Sequence, residues 1–151
     1  MINAEMTRTD SDPALWNKLT EGSKFSFSFE FSEKDMDTFG VLSSDQSLVH
    51  ENSAFAQANG FKGRVVYGAL LVAMISRFWG KEMPGVCWLE HSLSLRFIHP
   101  LYANEKAQLQ TTVIYSNSDL GVLRVRFEFF RDSLLIAEGQ GQAGLLKKAQ
   151  I

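Results

Sequence analysis

The sequence predicts an α+β domain in which one curved antiparallel sheet wraps around a single buried helix. Three observations carry this prediction. A segment near the beginning, KFSFSFEF from Lys24 to Phe31, alternates apolar and polar residues with the period of a half-buried strand. A middle stretch, GRVVYGALLVAMISRFWG, is apolar at helical spacing. Four further strand candidates then follow one another with no helix between them, which favours antiparallel pairing with the helices segregated elsewhere.

A chain of 151 residues fits one domain by the usual size of about 100–200 residues. Residues 1–12 are expected to be a mobile polar segment and residues 13–151 a single domain. With 45% apolar and 21% charged residues, the composition is that of a globular protein and excludes a disordered chain. Fifteen basic residues against seventeen acidic ones leave a net charge of −2, without the basic excess of nucleic-acid binders. The longest apolar run, Ala69 to Ile75, falls well short of the roughly 18 residues that span a bilayer. The first twenty residues hold no apolar core of the kind found in secretory signals, so a cytoplasmic location is expected, with neither membrane nor nucleic acid as partner. Cys87 stands alone, too little for an internal disulfide or a zinc site, and is expected as a small buried hydrophobe.

Each element has its own signal. Asp12-Pro13 suits the start of a short helix anchored by Trp16 and Leu19. Phe25, Phe27, Phe29 and Phe31 give the first strand its inner face. Ser32 followed by Asp35 has the form of a capping box, opening a helix near Glu33 with Met36 and Phe39 on one face. Ser43–Leu48 lacks either period and reads as a loop, and Asn52 to Asn59 reads as a short helix closed by Gly60. In the central helix Leu70, Leu71, Met74, Ile75 and Phe78 recur at helical spacing. The opposite side is also apolar or small, so burial nearly all round is expected. After Pro84-Gly85, Cys87, Leu89, His91, Leu93, Leu95 and Phe97 alternate with Trp88, Glu90, Ser92, Ser94 and Arg96. Leu109–Tyr115, Val122–Phe130 and Leu134–Ala143 complete the strands.

Few residues carry chemistry. Of the three histidines, His91 is expected in the core and His99, before Pro100, in an exposed turn. His50 differs, because Asp45 lies five residues before it in a loop that leads into a helix. Five residues on an ideal helix stand about 140° apart round the axis, so the two converge only if the loop doubles back. Converged, they can hold a water and exchange protons with a substrate. Such a pair also arises by chance among seventeen carboxylates. Gly68 stands at or near the first turn of the central helix, where unpaired N–H groups and the positive end of the dipole suit an anionic oxygen. A glycine there admits a substrate carbonyl to the backbone; equally, Gly63 and Gly68 permit a tight turn and close helix–sheet packing. Lys62 and Arg64 lie near enough in sequence to meet a phosphate, although solvated loop charges are the commoner outcome.

At these residues the chain resembles a known family. SSDQSLVHENSAFA, GFKGRVVYGALLVAMISRFWG, MPG, LRFIHPL and AEGQGQA fall in the order and spacing of the MaoC-like dehydratases, the R-specific enoyl-CoA hydratases. The resemblance runs from about Phe25 to about Leu145. It implies the hot-dog fold, a curved antiparallel sheet around a long central helix, and a homodimer. The family's motif is Asp-x-Asn-Pro-x-His followed by a small residue. Asp45 and His50 keep the catalytic pair and Ala54 follows, whereas Ser47 and Leu48 stand in place of the Asn and Pro. Tyr67 stands where a His commonly precedes the helix-start glycine, Gly68 is kept, and Ser76 falls where a supporting serine is often found. These departures bear on loop geometry and leave the proton-transfer groups in place.

The activity so implied is syn addition of water to a trans-2-enoyl thioester, giving the (3R)-3-hydroxyacyl thioester, or the reverse dehydration. The substrate would be an acyl thioester of coenzyme A or of acyl carrier protein. No other cofactor and no metal is implied, since coenzyme A or phosphopantetheine enters as part of the substrate. The resemblance makes the Gly68 N–H the group that polarises the thioester carbonyl. Asp45 and His50 would position the water, one taking its proton and the other supplying a proton to the α-carbon. Ser76 would hydrogen-bond Asp45 or its own helix, and Tyr67 would donate its hydroxyl near the site or line the acyl tunnel. Two other readings remain open here. A non-catalytic thioester-binding module is favoured by Ser47-Leu48 and Tyr67. A thioesterase is disfavoured because Gly68 through Trp79 contains no Asp or Glu.

Overall fold

In a computed structural model the chain is described over residues 13–84 and 87–146. The expected mobile segment 1–12 and the turn residue Gly85 lie outside the described residues. The elements follow the order α1 (Pro13–Trp16), β1 (Lys24–Glu30), α2 (Glu33–Ser43), α3 (Leu48–Glu51), α4 (Ser53–Ala58), α5 (Gly68–Arg77), β2 (Trp88–Phe97), β3 (Lys106–Asn117), β4 (Val122–Arg131) and β5 (Leu134–Leu145). The five strands form one sheet in the order β1-β3-β4-β5-β2, and every neighbouring pair is antiparallel.

Alternation in the sequence becomes sidedness in the sheet. On β1, Phe29 is buried and Phe25 and Phe27 pack against the core, while Lys24, Ser26, Ser28 and Glu30 meet solvent. Leu109, Val125, Phe127, Phe129 and Ile136 continue the same inner face and are fully buried. Helix α5 lies on that face through Leu70, Leu71 and Ile75. Its continuation over Phe78–Glu82 widens to a π-turn, in which the Met83 N–H donates to the Phe78 carbonyl at 2.9 Å. The wide turn seats Phe78 and Trp79 together in the core, their rings 5.6 and 6.1 Å from that of Phe127. Trp16 and Leu19 anchor α1 as expected, and the Ser32–Asp35 capping box forms with both reciprocal bonds. Gly60, at a φ of +88°, closes α4.

Two expectations fail, each for a local reason. Helix α5 is not buried all round: Ala69, Ala73 and Ser76 are exposed, as is Gly80 in the π-turn. A single sheet covers one side of a helix, and the residues on the far side are small. The second failure lies in β2, where Cys87 and His91 are exposed rather than buried and Leu89 is half exposed. A bulge between Glu90 and Ser92 inserts one residue into the pairing with β5. It reverses the alternation, so Trp88 points inward before it and Leu93 and Leu95 after it. His99 is exposed, as its place before Pro100 suggested. Among the described residues no helix is long and apolar enough to cross a membrane.

Candidate active site

The loop between α2 and α3 turns at Asp45, and His50 lies near enough for its charge to act on the Asp45 carboxyl. Ser44 takes the left-handed conformation, φ 58°, and ends α2. The chain then turns on Asp45. Its Oδ1 accepts the Ser47 N–H at 3.0 Å and the Ser47 hydroxyl at 2.6 Å, an Asx-turn. The Asp45 N–H in turn donates to the Ser43 hydroxyl at 3.2 Å. One helical turn later the His50 N–H donates to the Ser47 carbonyl at 2.9 Å. Ser47 thus makes a turn where the family motif has Asn, and the sequence departure does not open the loop.

Helix α3 buries none of its residues; the segment from Arg64 to Tyr67 holds it from behind. The Val65 N–H donates to the Val49 carbonyl at 3.1 Å, and the Val65 carbonyl lies 2.7 Å from His50 Nδ1. A carbonyl only accepts, so the neutral imidazole carries its proton on Nδ1 and leaves Nε2 with a lone pair. Arg64, nearly buried, donates through Nε to the His50 carbonyl at 2.7 Å and through Nη2 to Asp37 at 2.5 Å, with Glu33 at 3.8 Å. The Tyr67 ring packs 4.1 Å from the His50 ring, and its hydroxyl donates to the Asp45 carbonyl at 3.2 Å. Both members of the pair are therefore fixed by one segment.

The electrostatics of the pair follow from these bonds. The Ser47 hydroxyl, then the Ser47 N–H, hold the Asp45 carboxyl below the ordinary carboxylate range; partial desolvation opposes them and the nearby His50 adds to them. Among the described residues Oδ2 has no protein donor. The carboxylate stays ionised, and His50, whose Nε2 has no protein partner among the described residues, lies near enough for its charge to act on it, a combination able to take and return protons. Tyr67 moves the other way: burial, then the charges of Glu51 and Asp45, push its hydroxyl above its ordinary range and keep it a donor.

The structure separates the remaining predicted residues. Gly68 is the first residue of α5, directly after Tyr67, so its N–H has no acceptor within the helix. The packing reading of this glycine has support of its own. A Cβ at Gly68 would stand 2.8 Å from the edge of the Phe97 ring. Tyr67 is 2% exposed with its hydroxyl engaged, and so lies behind the pair rather than along an open tunnel. Ser76 is exposed on α5, and among the described residues its hydroxyl bonds neither Asp45 nor a carbonyl of its own helix. Arg64 is neither solvated nor free for a phosphate, because its guanidinium is spent on His50 and Asp37. Lys62 is exposed. Gly40 went unnoticed in the sequence. A Cβ there would stand 2.8 Å from the Tyr67 hydroxyl, and the available signal was a glycine inside a helical run.

Comparison with known proteins identifies the family and the fold. Residues 11–120 match the family model of the MaoC like domain, and the chain belongs to that family. It is similar to an (R)-specific enoyl-CoA hydratase from Aeromonas caviae, 27% identical over 124 residues, which covers 81% of this chain and 92% of the relative. An (R)-specific enoyl-CoA hydratase from Rhodospirillum rubrum is 32% identical over 95 residues, 63% of this chain and 66% of the relative. Among solved structures, the (R)-hydratase from A. caviae involved in PHA biosynthesis superposes with a TM-score of 0.79 at 25% identity, covering 85% of this chain and 98% of that one. An R-hydratase from Pseudomonas aeruginosa gives a TM-score of 0.80 at 22% identity, over 88% and 86% of the two chains. The fold is the hot-dog fold.

Proposed function

We propose that the protein is a hydro-lyase that interconverts trans-2-enoyl and (3R)-3-hydroxyacyl thioesters. The observation that carries this reading is the Asp45–His50 pair: one segment, 64–67, holds both residues, and among the described residues Oδ2 and Nε2 are left free of protein donors. The same segment runs straight into Gly68, so the helix N–H lies one residue from the group that orients the pair. The (R)-specific hydratases among its relatives support the reaction and its stereochemistry.

The chemistry follows from charge development. When the thioester carbonyl points at the start of α5, the Gly68 N–H and the helix dipole stabilise the negative charge that collects on its oxygen as water adds. The water lies between Asp45 and His50. One of them takes a proton as the oxygen attacks the β-carbon, and the pair returns a proton to the α-carbon, so its net protonation is unchanged after turnover. Delivery of both to one face of the double bond gives syn addition.

Two features of the assembly belong to the same proposal. Among the described residues strand β2 ends the sheet with one side unpaired, and a ten-residue edge invites pairing with a second copy. A homodimer in solution is the expected result of light scattering, and a stable monomer would remove this part. The carrier, coenzyme A or acyl carrier protein, is set by which thioester gives the higher kcat/KM. The function itself is tested by following the ultraviolet band of crotonyl-CoA. Wild type should remove the band, and Asp45→Ala and His50→Ala should not. Release of free thiol without hydration would instead make the protein a thioesterase.

A further inference from the structure

We infer that Tyr67 is the positioning residue of the Asp45–His50 pair, and that Gly40 is glycine because the Tyr67 hydroxyl needs the space its side chain would take. Tyr67 reaches both halves of the pair from outside the loop that carries them. Its ring packs against the His50 ring at 4.1 Å and its hydroxyl holds the Asp45 carbonyl at 3.2 Å. The Phe39 ring also packs against the phenol, at 4.9 Å, and helps hold it where its hydroxyl meets the Asp45 carbonyl. That place is over Gly40, where a Cβ would come within 2.8 Å of the oxygen and 3.7 Å of the Asp45 carbonyl. Gly40 lies inside α2, has no positive φ, and is buried. Alanine would suit a helix interior better than glycine, so the local propensity argues against the residue found and the phenol accounts for it.

A positioning role differs from a packing role in what it does to rate. The hydroxyl bonds a backbone carbonyl, so it sets the direction of the turn that Asp45 begins, and the ring sets the plane of His50. Neither touches substrate. Loss of the hydroxyl should therefore lower kcat and leave KM nearly unchanged. The effect on rate rests on the hydratase reading above; the geometry of the pair does not.

The test is a double-mutant cycle on the intact chain, read by kcat and KM on crotonyl-CoA and by the ring-proton signals of His50 in nuclear magnetic resonance. Tyr67→Phe should lower kcat on the order of tenfold with KM within about twofold. Gly40→Ala should lower kcat by at least as much and shift the His50 ring signals, because the displaced phenol carries the stacked ring with it. The double variant should be no slower than Tyr67→Phe alone and should recover the His50 signals, since phenylalanine has no oxygen to collide. It should also melt at or above the temperature of Tyr67→Phe, which guards against a folding defect. Costs of the two substitutions that simply multiply, or a Tyr67→Phe with wild-type kcat, would overturn the inference. If wild type fails to hydrate crotonyl-CoA, the hydratase reading falls and the His50 signals still decide: unchanged signals in Gly40→Ala overturn the positioning role, and shifted signals restored in the double variant uphold it.

Discussion

On the inner face of the sheet, Leu109, Phe127, Phe129 and Ile136 are fully buried and hold one another by apolar contact. In the loop from Ser44 to Asn52 helix α3 buries nothing, and directional bonds from Arg64, Val65 and Tyr67 set its position. Apolar packing is dense and without direction, so it decides whether the chain folds. Hydrogen bonds to a short exposed helix contribute little to global stability, but they fix where a carboxylate and an imidazole point. The two regions should respond to mutation in different currencies: the sheet in stability, the loop in rate.

The largest expected separation comes from the pair itself. Asp45→Ala or His50→Ala should lower kcat by on the order of 10²–10⁴-fold, the usual contribution of general acid–base groups. The midpoint of urea unfolding should stay close to wild type, because neither side chain is part of the core. Loss of both activity and stability together would mean that the loop is structural. The converse is Phe129→Ala, which removes a fully buried ring packed edge-on against Phe29 at 6.0 Å. It should cost about 3–5 kcal/mol of stability, while the protein that remains folded keeps its activity per molecule.

Arg64 is buried as the core residues are, yet it bonds the loop, and so it tests whether the two responses are truly separate. Its guanidinium is 9% exposed, yet its partners Asp37 and Glu33 are 66% and 60% exposed, so solvent screens most of the ion-pair energy. What remains is the bond to the His50 carbonyl. Arg64→Met keeps the stem and removes the charge. We expect a loss of about 1.5–3 kcal/mol, the worth of one charge-assisted bond, and a fall in kcat on the order of tenfold. Urea unfolding and crotonyl-CoA kinetics on one preparation would show whether both change.

The same contrast explains what the sequence makes legible. Strand alternation is a local property, and it places β1, β3, β4 and β5 within a few residues because each keeps one face to the core. It misplaces Cys87 and His91 because a bulge changes the phase of β2, and no period announces a single inserted residue. Asp45 and His50 are legible through family spacing and a loop they share. The groups that hold them are not: the Tyr67–Asp45 bond spans 22 residues and the Arg64–Asp37 bond spans 27. Contacts of that range depend on how α2, α3 and the 64–67 segment come together, which one chain's pattern does not encode. Gly40 is the exception in part, since a glycine against helix propensity marks a position where something else needs the space.

The smallest expected effect concerns the Asx-turn. Bonds from the Ser47 hydroxyl and then the Ser47 N–H hold the Asp45 carboxyl below the ordinary carboxylate range, so it stays ionised to lower pH than a free carboxylate would. Ser47→Ala removes the hydroxyl and keeps the N–H, which moves the carboxyl upward toward its ordinary range. The sign for rate follows directly. Where hydration needs ionised Asp45, kcat/KM falls as pH drops through that pKa, so the acid limb should move to higher pH in the variant. The plateau above it should stay near wild type. The sign for stability is the same: a depressed folded pKa contributes only above the unfolded value and is lost as pH falls. At this exposed position that contribution is too small to shift the unfolding midpoint. Profiles of kcat/KM between about pH 4 and 8, a range that brackets ordinary carboxylate and imidazole titration, would check it. A limb that stays in place would mean that Asp45 does not set it, and that the proton taken from water goes first to His50.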